Sequence, residues 1–240
     1  MDLAGAVAAC PCQTLDVMRT CVIIPAYNEE QALPLVLKEL PRTPETEVIV
    51  VDNGSTDRTF AAAQAANVKV VFEPRRGYGR ACQAGLRGMA PGAEVIVFLD
   101  GDHSDYAEEL PLLLAPIERG EADMVVGSRV LQAQAGSLTP QQRLGNWLAC
   151  RLIAWRFGRR FTDLGPFRAM RADLLKRLAI RDKGFGWNVE MQVKALKAGA
   201  RVAEIPVRYR PRIGRSKISG TISGSVRAGI AILGTIARYW

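Results

Sequence analysis

The stretch that decides the fold runs from Glu94 to Asp105 and reads Glu-Val-Ile-Val-Phe-Leu-Asp-Gly-Asp-His-Ser-Asp. Its apolar residues 95–99 predict a buried strand, and two carboxylates follow that strand directly. Residues two apart on an extended backbone point to the same side, so we expect Asp100 and Asp102 to share one face. Two like charges held this close are costly unless one is protonated or a cation lies between them, and oxygen ligands favour Mg²⁺ or Mn²⁺. The stretch therefore predicts a metal site that holds a diphosphate; the alternative is a solvated Asp-Gly-Asp turn.

Charge is distributed unevenly along the 240 residues. Residues 201–240 hold eight Lys and Arg against one acid, Glu204, so they carry a net +7 of the total +8. Such a basic section favours a phosphate-bearing partner, whether nucleotide, lipid headgroup or nucleic acid, and the alternative is a solvated basic surface. Five cysteines, an odd number, indicate reduced thiols of a cytoplasmic protein. No apolar run approaches the roughly 20 residues of a membrane-spanning helix.

Apolar runs and helical periodicity alternate along the first hundred residues. Strands are predicted at 20–24, 47–51, 68–72 and 95–99, and helices at 30–40, 56–66 and 79–89. Continuously apolar strands separated by helices predict an α/β fold with a single, mostly parallel, Rossmann-like sheet flanked by helices.

The rest of the chain is expected to add a helix at 144–157, a helix ending at Gly199, a strand at 202–207 and a helix at 218–240. Three parts follow from this pattern: a loosely structured extension at 1–19, one domain at 20–207, and a basic loop with an amphipathic helix at 208–240.

Polar residues fall at the carboxyl ends of the predicted strands, where parallel sheets bind ligands. Pro-Ala-Tyr-Asn-Glu-Glu follows the first strand at 25–30, and Asp-Asn-Gly-Ser-Thr-Asp follows the second at 52–57. Asn28 can cap the first helix, and Ser55 or Thr56 the second. Capping does not explain why a Tyr, a Glu and several Asp should meet on one edge, where Tyr can stack on a base and carboxylates can accept hydrogen bonds from a nucleoside.

Together with Arg-Gly-Tyr-Gly-Arg-Ala at 76–81 and Asp-Gly-Asp at 100–102, these segments resemble a family 2 glycosyltransferase with the GT-A fold. The later segments Gly-Ser-Arg at 127–129, Thr-Asp-Leu-Gly-Pro-Phe-Arg at 162–168 and Arg-Ile-Gly-Arg-Ser-Lys at 212–217 resemble the dolichyl-phosphate mannose synthase-like branch. The resemblance covers about residues 20–220. Pro166 departs from the Ser-Gly-Phe with which the branch pattern is usually written.

The resemblance implies a nucleotide-diphosphate sugar donor. It implies a nucleoside pocket lined by Pro25, Tyr27, Glu29 and Asp52. Gly79 would allow close approach to that pocket. It implies Mg²⁺ or Mn²⁺ on the donor diphosphate, held by Asp100, Asp102 and Ser104.

Further roles are implied for residues outside the first four strands. Arg129 resembles the arginine that faces the donor or acceptor phosphate. Arg212, Ser216 and Lys217 match residues that contact these phosphates, in a loop whose closure would shield the reaction from water. Glu190 has two interpretations: it packs at the start of its helix, where the dipole favours a carboxylate, or it lines the sugar pocket, which the resemblance favours.

The implied reaction is an inverting single displacement, in which a metal and arginines stabilise the leaving diphosphate. A polyprenyl phosphate acceptor is already ionised and needs no strong base, whereas a sugar hydroxyl needs a carboxylate, for which Asp163 is the first candidate. The basic C-terminal loop and the absence of an obvious base motif favour the lipid phosphate.

Two helices suggest contact with a membrane. Residues 144–157 carry Trp147, Arg151, Trp155 and Arg156, a composition typical of interfacial helices, and the alternative is ordinary packing against the sheet. The C-terminal helix either lies on a bilayer or pairs with a second subunit. The expected location is the cytoplasm, including the cytoplasmic face of the membrane.

Two other classes of protein would explain part of the sequence. A sugar nucleotidyltransferase would have a Gly-rich, basic phosphate loop after the first strand, where this chain has Pro-Ala-Tyr-Asn-Glu. A nucleic-acid-binding protein would explain the basic C-terminal section, but its polyanionic ligand would be repelled by the carboxylates at the strand ends. Nucleic acid is therefore not an expected partner.

Overall fold

The computed structural model describes residues 18–214 and 222–239, and for 222–228 it describes the backbone alone. The predicted extension at 1–19 therefore falls almost entirely outside the described residues. So do Ser216 and Lys217, which the sequence assigns to phosphate binding.

One sheet organises the chain. Its strands are β1 (Thr20–Ala26), β2 (Thr46–Asp52), β3 (Lys69–Phe72), β4 (Val95–Phe98), β5 (Met124–Ala133), β6 (Arg168–Arg171) and β7 (Val202–Tyr209). Their spatial order is β3-β2-β1-β4-β6-β5-β7. Only β6 runs antiparallel to its neighbours β4 and β5 among these strands. The predicted α/β fold with a single, mostly parallel sheet is confirmed.

Helices cover both faces of the sheet. They are α1 (Leu33–Glu39), α2 (Thr59–Ala65), α3 (Tyr78–Gly88), α4 (Leu110–Glu118), α5 (Pro140–Phe157), α6 (Ala172–Leu178), α7 (Trp187–Lys197) and α8 (Ile222–Arg238). No helix in the described part of the chain has both the length and the apolar character that crossing a membrane requires.

Alternating side chains of the strands feed two separate cores. In β1, Cys21 and Ile23 pack with α3, α5, α6 and α7, while Val22 and Ile24 pack with α1, α2 and α4 on the opposite face. This is the two-residue period of an extended chain, and it explains why a strand covered on both faces is apolar throughout.

The predicted strands 20–24, 47–51, 68–72, 95–99 and 202–207 are confirmed within about two residues. Strands β5 and β6 were not predicted. Strand β6 reads Arg-Ala-Met-Arg and lacks the apolar run that marks a buried strand. Its Arg168 is nevertheless buried, because the guanidinium donates to the carbonyl oxygens of Leu164, Gly165 and Asn188.

Helix α5 begins four residues earlier than predicted, because a capping box fixes its start. The Thr139 hydroxyl accepts a hydrogen bond from the Gln142 backbone N–H, and the Gln142 side chain accepts one from the Thr139 N–H. Pro140 occupies the first helical position, where its missing N–H costs nothing. The helix ends at Gly158, which adopts the left-handed conformation with φ 68°.

Candidate active site

The predicted site residues meet at one edge of the sheet. Ala26 at the end of β1 is in register with Asp52 at the end of β2, and Ile23 is in register with Phe98, two residues before Asp100. From β1 the chain continues to β2 and β3 on one side of β1, and it then crosses to β4 on the other side of β1. The carboxyl edge of the sheet beside β1 is therefore a topological switch point. Ligands of open α/β sheets bind in the crevice at such a point.

The loops after β1 and β2 are bonded to each other. The Asn28 backbone N–H donates to the Ser55 hydroxyl at 3.0 Å, and the Thr56 N–H donates to Asn28 Oδ1 at 2.8 Å. The interpretation of Asn28, Ser55 and Thr56 as helix caps was wrong, since α1 and α2 begin three or more residues later. These residues instead join two loops into one wall of the crevice.

Tyr27, which the resemblance assigns to the nucleoside pocket, contacts Arg76 in this wall. The Arg76 guanidinium lies 3.1 Å from the centroid of the Tyr27 ring. Asn53 positions the loop that carries Arg76: its amide nitrogen donates to the carbonyl oxygens of Glu73 and Arg75, and its Oδ1 accepts from the Gly77 N–H, all at 2.9 Å. Asn53 lies inside the Asp-Asn-Gly-Ser-Thr-Asp segment at 52–57, but the sequence alone does not predict this role for it.

Glu29 and Asp52 are both buried beside this wall. Asp52 Oδ1 accepts from the Ser55 N–H at 3.0 Å, and the Glu29 N–H donates to the Thr59 hydroxyl at 2.7 Å. Pro25 is partly exposed at the end of β1. The structure therefore brings all four predicted nucleoside-pocket residues to the same edge.

Gly79 permits the close approach of a neighbouring loop. A Cβ on Gly79 would lie 2.2 Å from the Asp182 carbonyl oxygen, and one on Gly77 would lie 2.3 Å from that of Lys183. The Arg80 N–H donates to the same Lys183 oxygen at 3.1 Å. Protein backbone therefore fills the side on which a Gly79 side chain would project, and the role in the nucleoside pocket that the resemblance implies for Gly79 stays a prediction.

Three carboxylates lie in or beside the loop after β4. Asp100, Asp102 and Asp105 are largely buried, and within the described residues Asp100 Oδ1 and both oxygens of Asp105 have no hydrogen-bond partner. Burial, followed by the neighbouring Asp102 charge, raises the pKa of Asp100 to about 6. Burial and the Asp100 charge raise the pKa of Asp105 well above its usual value. Asp105 was not predicted as a site residue, although it continues the acidic pattern three residues beyond Asp102.

Asp102 is held from two sides. The Ser104 hydroxyl and backbone N–H both donate to its Oδ1, so the structure shows Ser104 orienting the carboxylate. The Arg212 guanidinium lies 2.6 Å from its Oδ2. Hydrogen bonds from the Ile213 N–H to the Asp102 carbonyl and from the Arg210 N–H to the Ser104 carbonyl place the chain after β7 alongside this loop.

Arg129 and Asp163 form a buried, two-pronged ion pair. Arg129 Nε and Nη2 donate to the two Asp163 oxygens at 2.7 and 2.8 Å, and the Arg129 backbone N–H donates to the same carboxylate. Burial alone would raise the pKa of Asp163, but the Arg129 charge and these hydrogen bonds keep it below its usual value. A carboxylate so engaged is a poor proton acceptor and a good anchor for an arginine.

Glu190 is enclosed by donors. It accepts from the backbone N–H groups of Arg181 and Asp182, from Lys194 at 2.7 Å, and from the Tyr239 hydroxyl at 2.7 Å. These contacts match the interpretation in which Glu190 packs near the start of α7. They join α8 to the loop that lies against Gly77 and Gly79.

A cavity of about 930 Å³ lies between α5 and the Arg129–Asp163 pair. Four arginines, Arg129, Arg143, Arg151 and Arg160, line it together with Trp147, Trp155 and Ile232 of α8. Asp163 is the one carboxylate among its described lining residues. The cavity therefore offers an apolar and positively charged space that reaches Arg129.

The acidic loop suits a divalent cation that is also bound by its ligand. The described residues contain no group of three or more His, Cys, Asp and Glu side chains arranged to hold a metal by themselves. Mg²⁺, however, is commonly held by one or two carboxylates plus substrate phosphates and water. Asp100, Asp102, Asp105 and Asp163 influence one another electrostatically and face three guanidiniums, those of Arg129, Arg168 and Arg212. Four acids against three bases still leave more acids than bases, so the residues present fit a cation.

The fold and this edge define a class of protein, an α/β protein with a crevice of carboxylates and arginines at the switch point of a mostly parallel sheet. The sequence profile of glycosyl transferase family 2 matches residues 21–179. The chain belongs to glycosyltransferase family 2, and it is a glycosyltransferase with the GT-A fold.

Individual relatives agree with this assignment. The undecaprenyl-phosphate mannosyltransferase of Micrococcus luteus is 36% identical, over 92% of this chain and 96% of that protein. The polyprenol monophosphomannose synthase of Mycolicibacterium smegmatis is 32% identical, over 88% of this chain and 85% of that protein. Among solved structures, glucosyl-3-phosphoglycerate synthase from Mycobacterium tuberculosis, in complex with Mn²⁺, uridine-diphosphate-glucose and phosphoglyceric acid, has a TM-score of 0.70 at 22% identity, covering 92% of this chain and 80% of that one.

Proposed function

We propose that this glycosyltransferase moves a hexose from a nucleotide-diphosphate sugar to a polyprenyl phosphate, with inversion at the anomeric carbon. Two relatives that match nearly the whole chain are named for polyprenyl phosphates, which supports this acceptor. The crevice beside Pro25, Tyr27, Glu29 and Asp52 is assigned to the nucleoside. Asp100 and Asp102 are assigned to a divalent cation on the diphosphate.

The observation that carries the choice of acceptor is the lining of the cavity beside α5. Its single described carboxylate, Asp163, is already bonded through both oxygens to Arg129. A hydroxyl acceptor would need a carboxylate to take its proton, whereas a phosphate acceptor is ionised near neutral pH and is attracted by arginines. The cavity therefore suits an anionic acceptor with an apolar tail, and Asp163 acts by holding Arg129.

Different charged residues are assigned to the donor diphosphate and to the acceptor phosphate. A divalent cation on Asp100 and Asp102 would neutralise the charge that develops on the leaving diphosphate. Arg212, which lies on Asp102, is close enough to contact that diphosphate when the donor binds, and Ser216 and Lys217 are assigned to the same phosphates from the sequence. Arg129 is assigned to the acceptor phosphate, since it lies between the acidic loop and the cavity.

Donor binding is tested by thermal unfolding with uridine, guanosine and thymidine diphosphate sugars, each with and without Mn²⁺. We expect one nucleotide class to stabilise the protein, only with metal, and Asp102→Asn to lose this effect. Transfer by that variant should fall by at least about 100-fold, since it removes a main electrostatic element of the site. Stabilisation that persists unchanged in Asp102→Asn would refute the metal assignment.

The acceptor is tested by transfer of labelled sugar to three compounds: a polyprenyl phosphate, the matching polyprenol, and 3-phosphoglycerate. We expect label in the polyprenyl phosphate alone, as an acid-labile glycosyl phosphate. Transfer to the polyprenol would mean that a hydroxyl is activated and would restore Asp163 as a base. Transfer to 3-phosphoglycerate alone would replace the lipid by a soluble phosphorylated acceptor.

A further inference from the structure

Glu190 in the first turn of α7 is buried, and protein donors surround its carboxylate. Oε1 accepts from the Lys194 ammonium and the Tyr239 hydroxyl, each at 2.7 Å, and from the Arg181 N–H at 3.0 Å. Oε2 accepts from the Asp182 N–H at 2.6 Å and from the Arg181 N–H at 3.1 Å. A carboxylate offers about four lone-pair sites, so these donors use all of them. Glu190 can therefore act on a substrate only through the groups that it holds.

The backbone groups that Glu190 holds belong to the 181–186 loop, which precedes α7. Asp182 closes this loop from within, because its Oδ1 accepts from two backbone N–H groups of the same loop at 2.7 and 3.1 Å. Helix α8 packs directly against the loop, since a Cβ on Gly186 would lie 2.4 Å from the Thr235 hydroxyl oxygen. The loop is thus fixed by its own hydrogen bonds, by Glu190 and by α8.

The same loop contacts the first residues of α3 and the residue before them. The Arg80 N–H donates to the Lys183 carbonyl oxygen at 3.1 Å. A Cβ on Gly77 or on Gly79 would lie 2.3 or 2.2 Å from a carbonyl oxygen of the loop. Backbone packs on backbone here, with no space for a side chain between the two segments. A displacement of the loop therefore displaces residues 77–80 as well.

Residues 76 and 77 continue this contact into the wall that contains Tyr27. The Gly77 N–H donates to Asn53 Oδ1 at 2.9 Å. The Arg76 guanidinium lies 3.1 Å from the centroid of the Tyr27 ring. A continuous series of contacts thus leads from Glu190, through the loop, to the wall of the crevice.

We propose that Glu190 is a positioning residue for the nucleoside crevice. Through the 181–186 loop it holds residues 76–80 in place, and Tyr239 makes the end of α8 part of this support. The assignment of the crevice to a nucleoside rests on the proposed function. The coupling of Glu190 to residues 76–80 requires no ligand and is tested separately.

The coupling is tested by hydrogen–deuterium exchange of the full chain without ligand. In Glu190→Ala the peptide at 77–81 should exchange at least about tenfold faster, because its bonded N–H groups are released together with the loop. Glu190→Gln should exchange like the wild type, since the amide oxygen still accepts from the loop and the amide NH₂ can donate to the Tyr239 hydroxyl. Tyr239→Phe removes a single hydrogen bond and should speed this exchange by about two- to fivefold.

The matched controls remove the same kinds of group without touching Glu190. Glu204→Ala removes a carboxylate that accepts from two backbone N–H groups of the loop before β6, at 3.0 and 2.9 Å. Lys197→Met removes a lysine of α7 that donates to the Tyr239 carbonyl oxygen at 3.1 Å. Exchange of the peptide at 77–81 should be unchanged in both variants.

The consequence for the donor is tested by calorimetry with uridine, guanosine and thymidine diphosphate, each with Mn²⁺. Glu190→Ala should weaken the diphosphate that binds the wild type by at least about tenfold, and Glu190→Gln by less than about threefold. In transfer assays Glu190→Ala should raise KM for the donor, whereas Glu190→Gln should keep both KM and kcat. A carboxylate that contacted the sugar would instead lose kcat in Glu190→Gln.

Two results would overturn the proposal. One is faster exchange in Glu190→Ala that stays confined to the 181–186 loop, with residues 77–81 as in the wild type. The other is a Glu190→Gln variant with wild-type exchange and diphosphate binding whose kcat falls by about 100-fold, which would place the carboxylate on the reacting sugar. Should Glu190→Ala not fold, Tyr239→Phe against Lys197→Met decides the same question. Should none of the three diphosphates bind the wild type, the proposed function fails, and the exchange rates alone decide the positioning role.

Discussion

We call the carboxyl ends of β1, β2 and β4, with the loops that follow them, the donor edge. The donor edge and the region around α5 differ in charge composition and in how their segments are held together. Residues 20–105 carry twelve acids and eight Lys and Arg, whereas residues 124–162 carry six arginines and no acid. The donor edge is joined by hydrogen bonds between neighbouring loops, such as those of Asn28 with Ser55 and Thr56. Beyond that edge, ion pairs join segments that are distant in sequence: Arg129 of β5 pairs with Asp163 before β6, and Arg212 after β7 pairs with Asp102.

This difference indicates how the two substrates are held. A nucleoside diphosphate with a cation needs carboxylates in a rigid setting, which strand ends supply. An anionic acceptor needs fixed positive charge, and a buried arginine stays in place only if an acid partner compensates it. Asp163 supplies that compensation to Arg129.

The largest effect is expected for Asp163→Asn. The change leaves the buried Arg129 guanidinium without its counter-charge, so the free energy of unfolding should fall by roughly 3–5 kcal/mol. The matched control is Asp173→Asn, whose ion pair with Arg171 is largely exposed and should contribute about 0–1 kcal/mol. Urea unfolding of both variants measures the two losses in free energy of unfolding. Equal losses would show that the buried ion pair stabilises the protein no more than the exposed one.

The pH dependence of this contribution has a definite sign. The pKa of Asp163 is lower in the folded protein than the usual value of about 3.9, because Arg129 and backbone N–H groups stabilise the carboxylate. The stabilisation is therefore fully present above about pH 4 and is lost as the pH falls through the lower, folded-state pKa. The gap in stability between wild type and Asp163→Asn should narrow below that pH. A gap that widens towards acid would contradict the ion pair.

Most of the donor edge could be predicted from the sequence, because its residues follow apolar strands whose carboxyl ends must meet in a parallel sheet. Asp100, Asp102, Tyr27 and Asp52 lie where that rule puts them. The pairing of Arg129 with Asp163 could not be predicted, because it depends on the positions of β5 and of the loop before β6. Strand β6 has no apolar run from which it could be predicted. The contact of Gly79 with the loop at 182–183 could not be predicted either, because a sequence shows that space is needed but not which group fills it.

A smaller effect is expected where the donor edge meets the loop at 181–184. In Gly79→Ala the new Cβ would lie 2.2 Å from the Asp182 carbonyl oxygen, and overpacking of this kind costs about 1–3 kcal/mol. The matched control in the other region is Gly145→Ala in α5, where the new Cβ would have no atom within 4 Å. Because Ala favours the helix more than Gly does, this change should stabilise the protein by roughly 0.5–1 kcal/mol. Thermal unfolding of both variants gives the comparison, and a destabilised Gly145→Ala would mean that α5 is packed more tightly than described.

The smallest effect is a difference in the reactivity of cysteines. Cys21 in β1, Cys82 in α3 and Cys150 in α5 are buried free thiols, and burial raises the pKa of Cys21 and Cys150 to about 12. Because the thiolate is the reactive form, none of the three should be alkylated in the native protein near about pH 8. Replacing Cys10 and Cys12 by Ser removes the other two thiols. In low concentrations of urea Cys150 should then react first, because α5 has one exposed side and opens at lower cost than the central strand β1. Mass spectrometry of the labelled peptides measures this order, and earlier labelling of Cys21 would place the less stable region at the donor edge instead.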